Sequence, residues 1–238
     1  HSTRLALTEA PGVNVTYLAF NLKDPVLKDL RVRRALAHAI PIQALLESKM
    51  AGMGEKATSF LAPSLEGSFA PAAYSEDLSR ASALLDEAGY PRDPKTGLRS
   101  TLKLTFKTTP VRDGYEVVRV IQDSLKQIGV SLDLEVVEPA VFLASVRKGH
   151  FQLSLGRWIG VADSSILERT LLTGHPSNRA GYSDPEMDRM LTRAHSTLDS
   201  KVRNPELARI QQKMMDELPY LPLWFWKNAL IVRKGARV

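Results

Sequence analysis

Residues 101–155 carry the pattern that decides the fold: TLKLTF at 101–106, VVRVIQDSLKQIGV at 117–130, SLDLEV at 131–136, PAVFLASVRKG at 139–149 and FQLSL at 151–155. In the first piece Leu102, Leu104 and Phe106 alternate with Thr101, Lys103 and Thr105, the period of a strand. Val117, Val118, Ile121, Leu125 and Ile128 then recur at helical spacing, and Gly129 stops that helix. Leu132, Leu134 and Val136 alternate again. Pro139 opens a short helix with Phe142, Leu143 and Val146, and Phe151, Leu153 and Leu155 make a third strand. Strand, helix, strand, helix, strand predicts an α/β fold, a mostly parallel sheet flanked by helices.

The same reading extends both ways. Upstream, Val13 to Phe20 reads as a strand through Val13, Val15 and Tyr17. Val32, Ala35, Leu36, Ala39 and Ile40 fall at helical spacing, and Pro41 restarts a helix with Ile42, Leu45 and Leu46. Residues 51–74 read as a long loop rich in Gly, Pro, Ser and Ala. Ser75 is the expected cap of a helix through Leu78, Ala81, Leu84, Leu85 and Ala88, ended by Gly89. Downstream, Asp184-Pro185 starts a helix with stripe Met187, Met190, Leu191, Ala194 and Leu198, and Ser183 and Glu186 have capping-box spacing. Asn204-Pro205 is the expected start of another, with Leu207, Ile210, Met214 and Leu218. Strand-like segments close the chain at Leu221–Trp226 and Ala229–Arg233.

Composition narrows the function. The chain has 238 residues, 44% of them hydrophobic and 24% charged, which excludes disorder. No apolar run reaches the roughly 18 residues of a membrane-spanning helix. Cysteine is absent, so disulfide frameworks, thiol nucleophiles and thiolate metal sites are excluded. The formal charge of +6 invites a nucleic-acid reading. Its densest basic cluster, Arg31, Arg33 and Arg34, lies in a helical segment with Asp29 and an apolar stripe, so no nucleic-acid partner is expected. The histidines show no metal-ligand spacing, and nucleophile-elbow and phosphate-loop motifs are absent. No catalytic residue, metal or cofactor is therefore expected.

One loop points to binding. Arg157-Trp158-Ile159-Gly160 follows the third strand, and Asp163, Ser164 and Ser165 come next. Ligands of open α/β sheets sit outside the carboxyl ends of the strands. Trp158 there serves either as a pocket wall or as a core ring, and Asp163 either as a ligand acceptor or as a helix cap.

Several ordered segments resemble the bacterial extracellular solute-binding proteins of family 5, the peptide and nickel group. Tyr17 to Asn21 followed by Asp29-Leu30-Arg31-Val32-Arg33-Arg34-Ala35-Leu36 resembles the family's FN…D-x-R-V-R-x-A-L. Leu84 to Tyr90 is similar to L-L-x-E-A-G-Y, and Ile121 to Val130 to I-Q-x-x-L-K-x-I-G-I. Lys148-Gly149-His150-Phe151 with Arg157-Trp158 resembles K-G-x-F…G-W. Tyr182 to Asp188 resembles Y-S-N-P-x-x-D, and Leu218 to Leu223 the late P-x-I-P-L.

The resemblance implies a periplasmic-binding-protein-like lobe (type II, cluster C-like), the C-terminal jaw of a two-lobed clamshell. It implies a non-catalytic component of an ABC importer, binding an oligopeptide or other small organic solute between two lobes. The implied partners are an N-terminal lobe of the same chain, expected outside this sequence, and a membrane permease. The implied location is periplasmic or extracellular, free or lipid-anchored. Residues 1–20 and 229–238 are the expected crossover strands. A ligand-sensing domain of a regulator is the alternative use of such a lobe. The expected contacts are Trp158 as cleft wall, with Arg157, Asp163, Asn178, Arg179 and Tyr182 for polar groups. Asn178 and Arg179 suit a carboxylate or polar ligand, or else form a solvated loop. The family's I-D after the first helix is Ile40-Pro41 here. Peptide-binding members usually place an acid three residues after the loop tryptophan, against the peptide amine; here Val161 stands there, with Asp163 two residues on.

Overall fold

A computed structural model describes residues 5–233. The central sheet has six strands in the order β3 (Gly54–Lys56), β7 (Tyr220–Trp226), β2 (Val15–Phe20), β6 (Leu153–Trp158), β4 (Lys103–Thr108), β5 (Ser131–Val136). β1 (Leu5–Ala10) and β8 (Asn228–Arg233) form a separate antiparallel ribbon. The helices are α1 (Leu30–Ala39), α2 (Ile42–Lys49), α3 (Leu78–Glu87), α4 (Arg112–Gln127), α5 (Pro139–Arg147), α6 (Ser165–Leu171), α7 (Pro185–His195) and α8 (Ser200–Glu217).

The α/β class and the β4-α4-β5-α5-β6 run stand as expected. The sheet is mixed rather than mostly parallel as expected: β4 is parallel to β5 and β6, whereas β2 runs antiparallel to both β6 and β7, and β3 antiparallel to β7. Two helical layers cover it. Leu18, Phe20, Leu104, Phe106 and Leu153 face α1 to α4, and Val15, Tyr17, Ala19 and Tyr220 face α6 to α8. All six residues of β2 are therefore buried, as a strand covered on both faces must be. The buried methionines 187, 190, 214 and 215 fill the second layer. A register shift in the β2–β7 pairing lies beside Pro222, which has no N–H to donate.

Several local expectations are corrected. Asp77, not Ser75, caps α3, accepting from the Arg80 amide. Asp184, not Ser183, caps α7. Leu198 lies beyond α7 and is 93% exposed, and Leu143 is also exposed. α8 starts at Ser200, capped by Asp199, with Pro205 inside it. The loop 51–74 contains β3, an edge strand built on β7. Val15–Phe20 is a central strand, and the ribbon partner of Asn228–Arg233 is Leu5–Ala10. Residues 1–4 and 234–238 of the expected crossover segments lie outside the described residues.

The basic cluster is committed to the framework. Asp29 caps α1 and pairs with Arg31 at 2.6 Å, and Arg31 also reaches the Glu87 carbonyl. Arg33 is buried and donates to the carbonyls of Leu27, Lys28, Glu217 and Leu218. Burial lowers its guanidinium to about 10. Arg34 donates to the Asp216 carbonyl. Arg33 and Arg34 thus tie α1 to the α8–β7 corner, and Arg31 ties it to the end of α3.

Candidate functional site

β4, β5 and β6 run in parallel, so Thr108, Val136 and Trp158 end on one edge of the sheet. α4 and α5 begin there. Lys107 aligns with Ser154, so β6 overhangs β4 by the last three residues of the strand, about 10 Å at a strand's rise. The rim is apolar and open: Val111 is 58% exposed, Val136 45% and Ile159 74%. The β1–β8 ribbon leaves the sheet at this same edge, because Val15 lies opposite both Trp158 and Phe225. Asn14 fastens the junction, its Oδ1 accepting from the Gly160 amide at 2.8 Å and its carbonyl from the Trp226 amide at 2.9 Å. Gly12 permits it, since a Cβ there would meet the Trp226 carbonyl oxygen at 1.9 Å.

Alternation along β6 separates the two residues expected to act together. Trp158 turns toward the α6–α8 layer and stacks on Tyr17, centroids 6.1 Å apart and planes 17° apart. Tyr17 in turn packs on Phe60 and Tyr220, at 5.2 and 5.5 Å. The Arg179 guanidinium lies 5.0 Å from the Trp158 ring centroid and donates to the Tyr17 hydroxyl at 3.2 Å. Burial pushes the Tyr17 phenol up, so it stays protonated at neutral pH, with Arg179 opposing. Gly156 admits this arrangement, since a Cβ there would lie 2.4 Å from Tyr17 Cζ. The Trp158 indole N–H is buried without a hydrogen-bond partner among the described residues.

Arg157 lies on the other face, its guanidinium 4.0 Å from the Trp226 ring centroid. Burial lowers the Arg157 guanidinium, and the Asp113 carboxylate opposes that shift. Trp226 is fixed by its indole N–H to Thr16 Oγ1 at 2.8 Å.

The remaining candidates are engaged in the framework. Asp163 Oδ1 accepts from the Ser165 amide at the start of α6, and the Ser165 hydroxyl first, then that amide, hold its carboxyl below the usual range. Asn178 braces its own loop, donating to the carbonyls of Leu172 and Tyr182 and accepting from the Tyr182 amide. Tyr182 is buried, and its hydroxyl donates to Glu217; burial first, then Glu217, raise the phenol. Val161 is 5% exposed within the second core layer. The structure thus brings Trp158 and Arg179 together, sets Arg157 apart from them, and leaves Asp163, Asn178 and Tyr182 in local bracing. Sequence reasoning passed over Tyr17, Asp113 and Trp226 as site residues. Trp226 lies in the aromatic segment Leu221–Trp226, whereas the helical stripe reads only from Val117 and gives no signal for Asp113.

A family model described as bacterial extracellular solute-binding proteins, family 5 Middle, matches residues 2–175. The periplasmic murein peptide-binding protein MppA of Escherichia coli is 26% identical over 94% of this chain and 42% of its own length. The probable ABC transporter periplasmic-binding protein SapA of Escherichia coli is 31% identical over 92% of this chain and 41% of its own length. The chain thus spans about two-fifths of the length of these relatives. Among solved structures, HbpA2 from Haemophilus parasuis superposes with a TM-score of 0.88 at 24% identity, covering 98% of this chain and 46% of that one. DppA from Helicobacter pylori, in complex with the peptide STSA, gives 0.85 at 24% identity, covering 99% and 46%. The family-model match over residues 2–175 establishes that the chain belongs to the bacterial extracellular solute-binding proteins of family 5.

Proposed function

We propose that this chain is one lobe, the C-terminal one, of a non-catalytic solute-binding component of an ABC importer. Its ligand, a peptide or other small organic solute, lies on the edge where β4, β5 and β6 end. The observation that carries the reading is a coincidence of place. The open apolar rim of Val111, Val136 and Ile159 and the exit of the β1–β8 ribbon share one edge. A second lobe joined through that ribbon would close over the rim and cover it, and differential contact in the closed state would favour closure. The lengths agree, since the relatives carry more than twice the chain matched here. Relatives named as periplasmic support a location outside the cytoplasmic membrane, free or lipid-anchored, with a permease as the receiving partner.

Trp158 is the wall of this cleft, held on Tyr17 and Arg179. Val161 is buried where peptide-binding members place an acid, so the α-amine of a peptide gains no charge partner at that position, and Asp163 already accepts from the Ser165 amide through Oδ1. The test is calorimetry on the complete protein with di- to pentapeptides, comparing wild type with Trp158→Ala. At least a tenfold loss of affinity is expected for burial of an aromatic wall, about 1.4 kcal/mol or more. Unchanged affinity in a variant that melts like wild type would refute the assignment.

A further inference from the structure

This inference rests on the reading above, that ligand lies at the strand-end edge, and deepens it. The overhang of β6 leaves a cavity of about 230 Å³ between the sheet, the end of α2 and the first turn of α4. That is smaller than the roughly 300–1,000 Å³ of a drug-sized site, so it suits a ligand the size of a single amino acid. Trp224 and Trp226 form its aromatic wall. Four charged residues line it: Lys49, Glu116, Asp113 and Arg157. Lys49 and Glu116 neutralise each other at 3.1 Å, and Arg112 also binds Glu116 at 2.9 Å.

Asp113 and Arg157 remain. Among the described residues neither side chain makes a hydrogen bond, and neither has an ion-pair partner within 4.0 Å. The Arg157 head is placed by the Trp226 ring beneath it. A purely cationic ligand group would meet the guanidinium, and a purely anionic one the carboxylate. A neutral apolar group would strip water from both charges and replace none of it, which is costly. A group carrying both signs satisfies both. We propose that this cavity is a subsite for a single dipolar amino acid, its ammonium on Asp113 and its carboxylate on Arg157, with its side chain against the Trp226 wall.

The test titrates the complete protein with free L-leucine, N-acetyl-L-leucine and L-leucinamide, read by indole fluorescence and by nuclear magnetic resonance shifts of the indole N–H groups. Wild type should prefer free leucine about tenfold over either blocked compound, as loss of one charged hydrogen-bond partner implies. Asp113→Asn should erase the preference over N-acetyl-leucine and keep that over leucinamide. Arg157→Gln should do the reverse. Neither side chain makes a hydrogen bond in the framework and Arg157 loses only its contact with the Trp226 ring, so both variants should fold and melt within a few degrees of wild type. Equal binding of all three compounds, or both preferences surviving in both variants, would overturn the subsite. If peptides bind the edge while none of the leucine compounds bind, the subsite falls and the edge reading stands. If peptides also fail to bind, both fall.

Discussion

Gly156→Ala tests how the strand end is built. Gly156 lies directly opposite Tyr17 in the β2–β6 register. An added methyl would sit 2.4 Å from Tyr17 Cζ, 2.5 Å from its hydroxyl oxygen and 2.8 Å from Cε2. The ring has no easy retreat, since Tyr17 is 1% exposed and is enclosed by Phe60, Tyr220 and Trp158. Overpacking a filled core costs about 1–3 kcal/mol, and a ring locked by three others belongs at the upper end. For a chain of this size 3 kcal/mol corresponds to a fall of about 6–12 °C in melting temperature. Thermal and urea unfolding of wild type, Gly156→Ala, Tyr17→Ala and the double variant would measure it. Tyr17→Ala alone should cost about 3–5 kcal/mol, by analogy with other aromatic truncations. The double variant should cost no more than Tyr17→Ala, because the methyl then fills part of the space left by the ring. A Gly156→Ala protein melting within about 1 °C of wild type, or costs that simply add, would refute this packing argument.

Three further outcomes follow from other parts of the molecule. Arg99 is 1% exposed and binds Asp86, Ser82 and the carbonyls of Tyr90 and Ile128, so Arg99→Ala should cost about 3–5 kcal/mol in urea unfolding, while Arg112→Ala, at an exposed ion pair, should leave the urea midpoint close to that of wild type. Burial would raise the Asp184 carboxyl, but the Lys213 ammonium and the Glu186 amide outweigh it and hold it below the usual 3.8. Stability from that depressed carboxyl is present above its unfolded value and is lost as pH falls through the folded one. The advantage of wild type over Lys213→Met should thus be about 1–2 kcal/mol at pH 7 and shrink below about pH 4; an advantage constant with pH would contradict it. On the proposed two-lobed reading, residues 1–238 alone should bind di- to pentapeptides more weakly than about 1 mM by calorimetry, because a second lobe would be needed to enclose the ligand; micromolar affinity would count against the clamshell.

The run from Leu102 to Leu155 was legible because its strands alternate and α4 holds one clean apolar stripe, Val117, Val118, Ile121 and Leu125. Periodicity carries no information on strand partners, so the antiparallel placement of β2 and β7 at the centre of the sheet was not legible. β3 has the sequence Gly-Glu-Lys and no pattern of its own; it exists because β7 offers it a ladder. α8 extends five residues before Pro205, since a proline within the first two turns forfeits only the hydrogen bond to Lys201 while Asp199 supplies the cap. The tryptophan turn was found through the rule that ligands gather at carboxyl ends of strands. Its partners were not found, because Tyr17 and Arg179 reach Trp158 only through the folded chain. The expected grouping of Arg157 with Trp158 overlooked that adjacent strand residues face opposite ways.

The central claim is that solute meets the edge where the three parallel strands end. Hydrogen–deuterium exchange on the complete protein, with and without a mixture of di- to pentapeptides, tests it most directly. Slowed exchange should centre on residues 109–114, 137–141 and 158–164. Protection confined to the opposite edge, at 21–25 and 149–152, or no change anywhere, would contradict it.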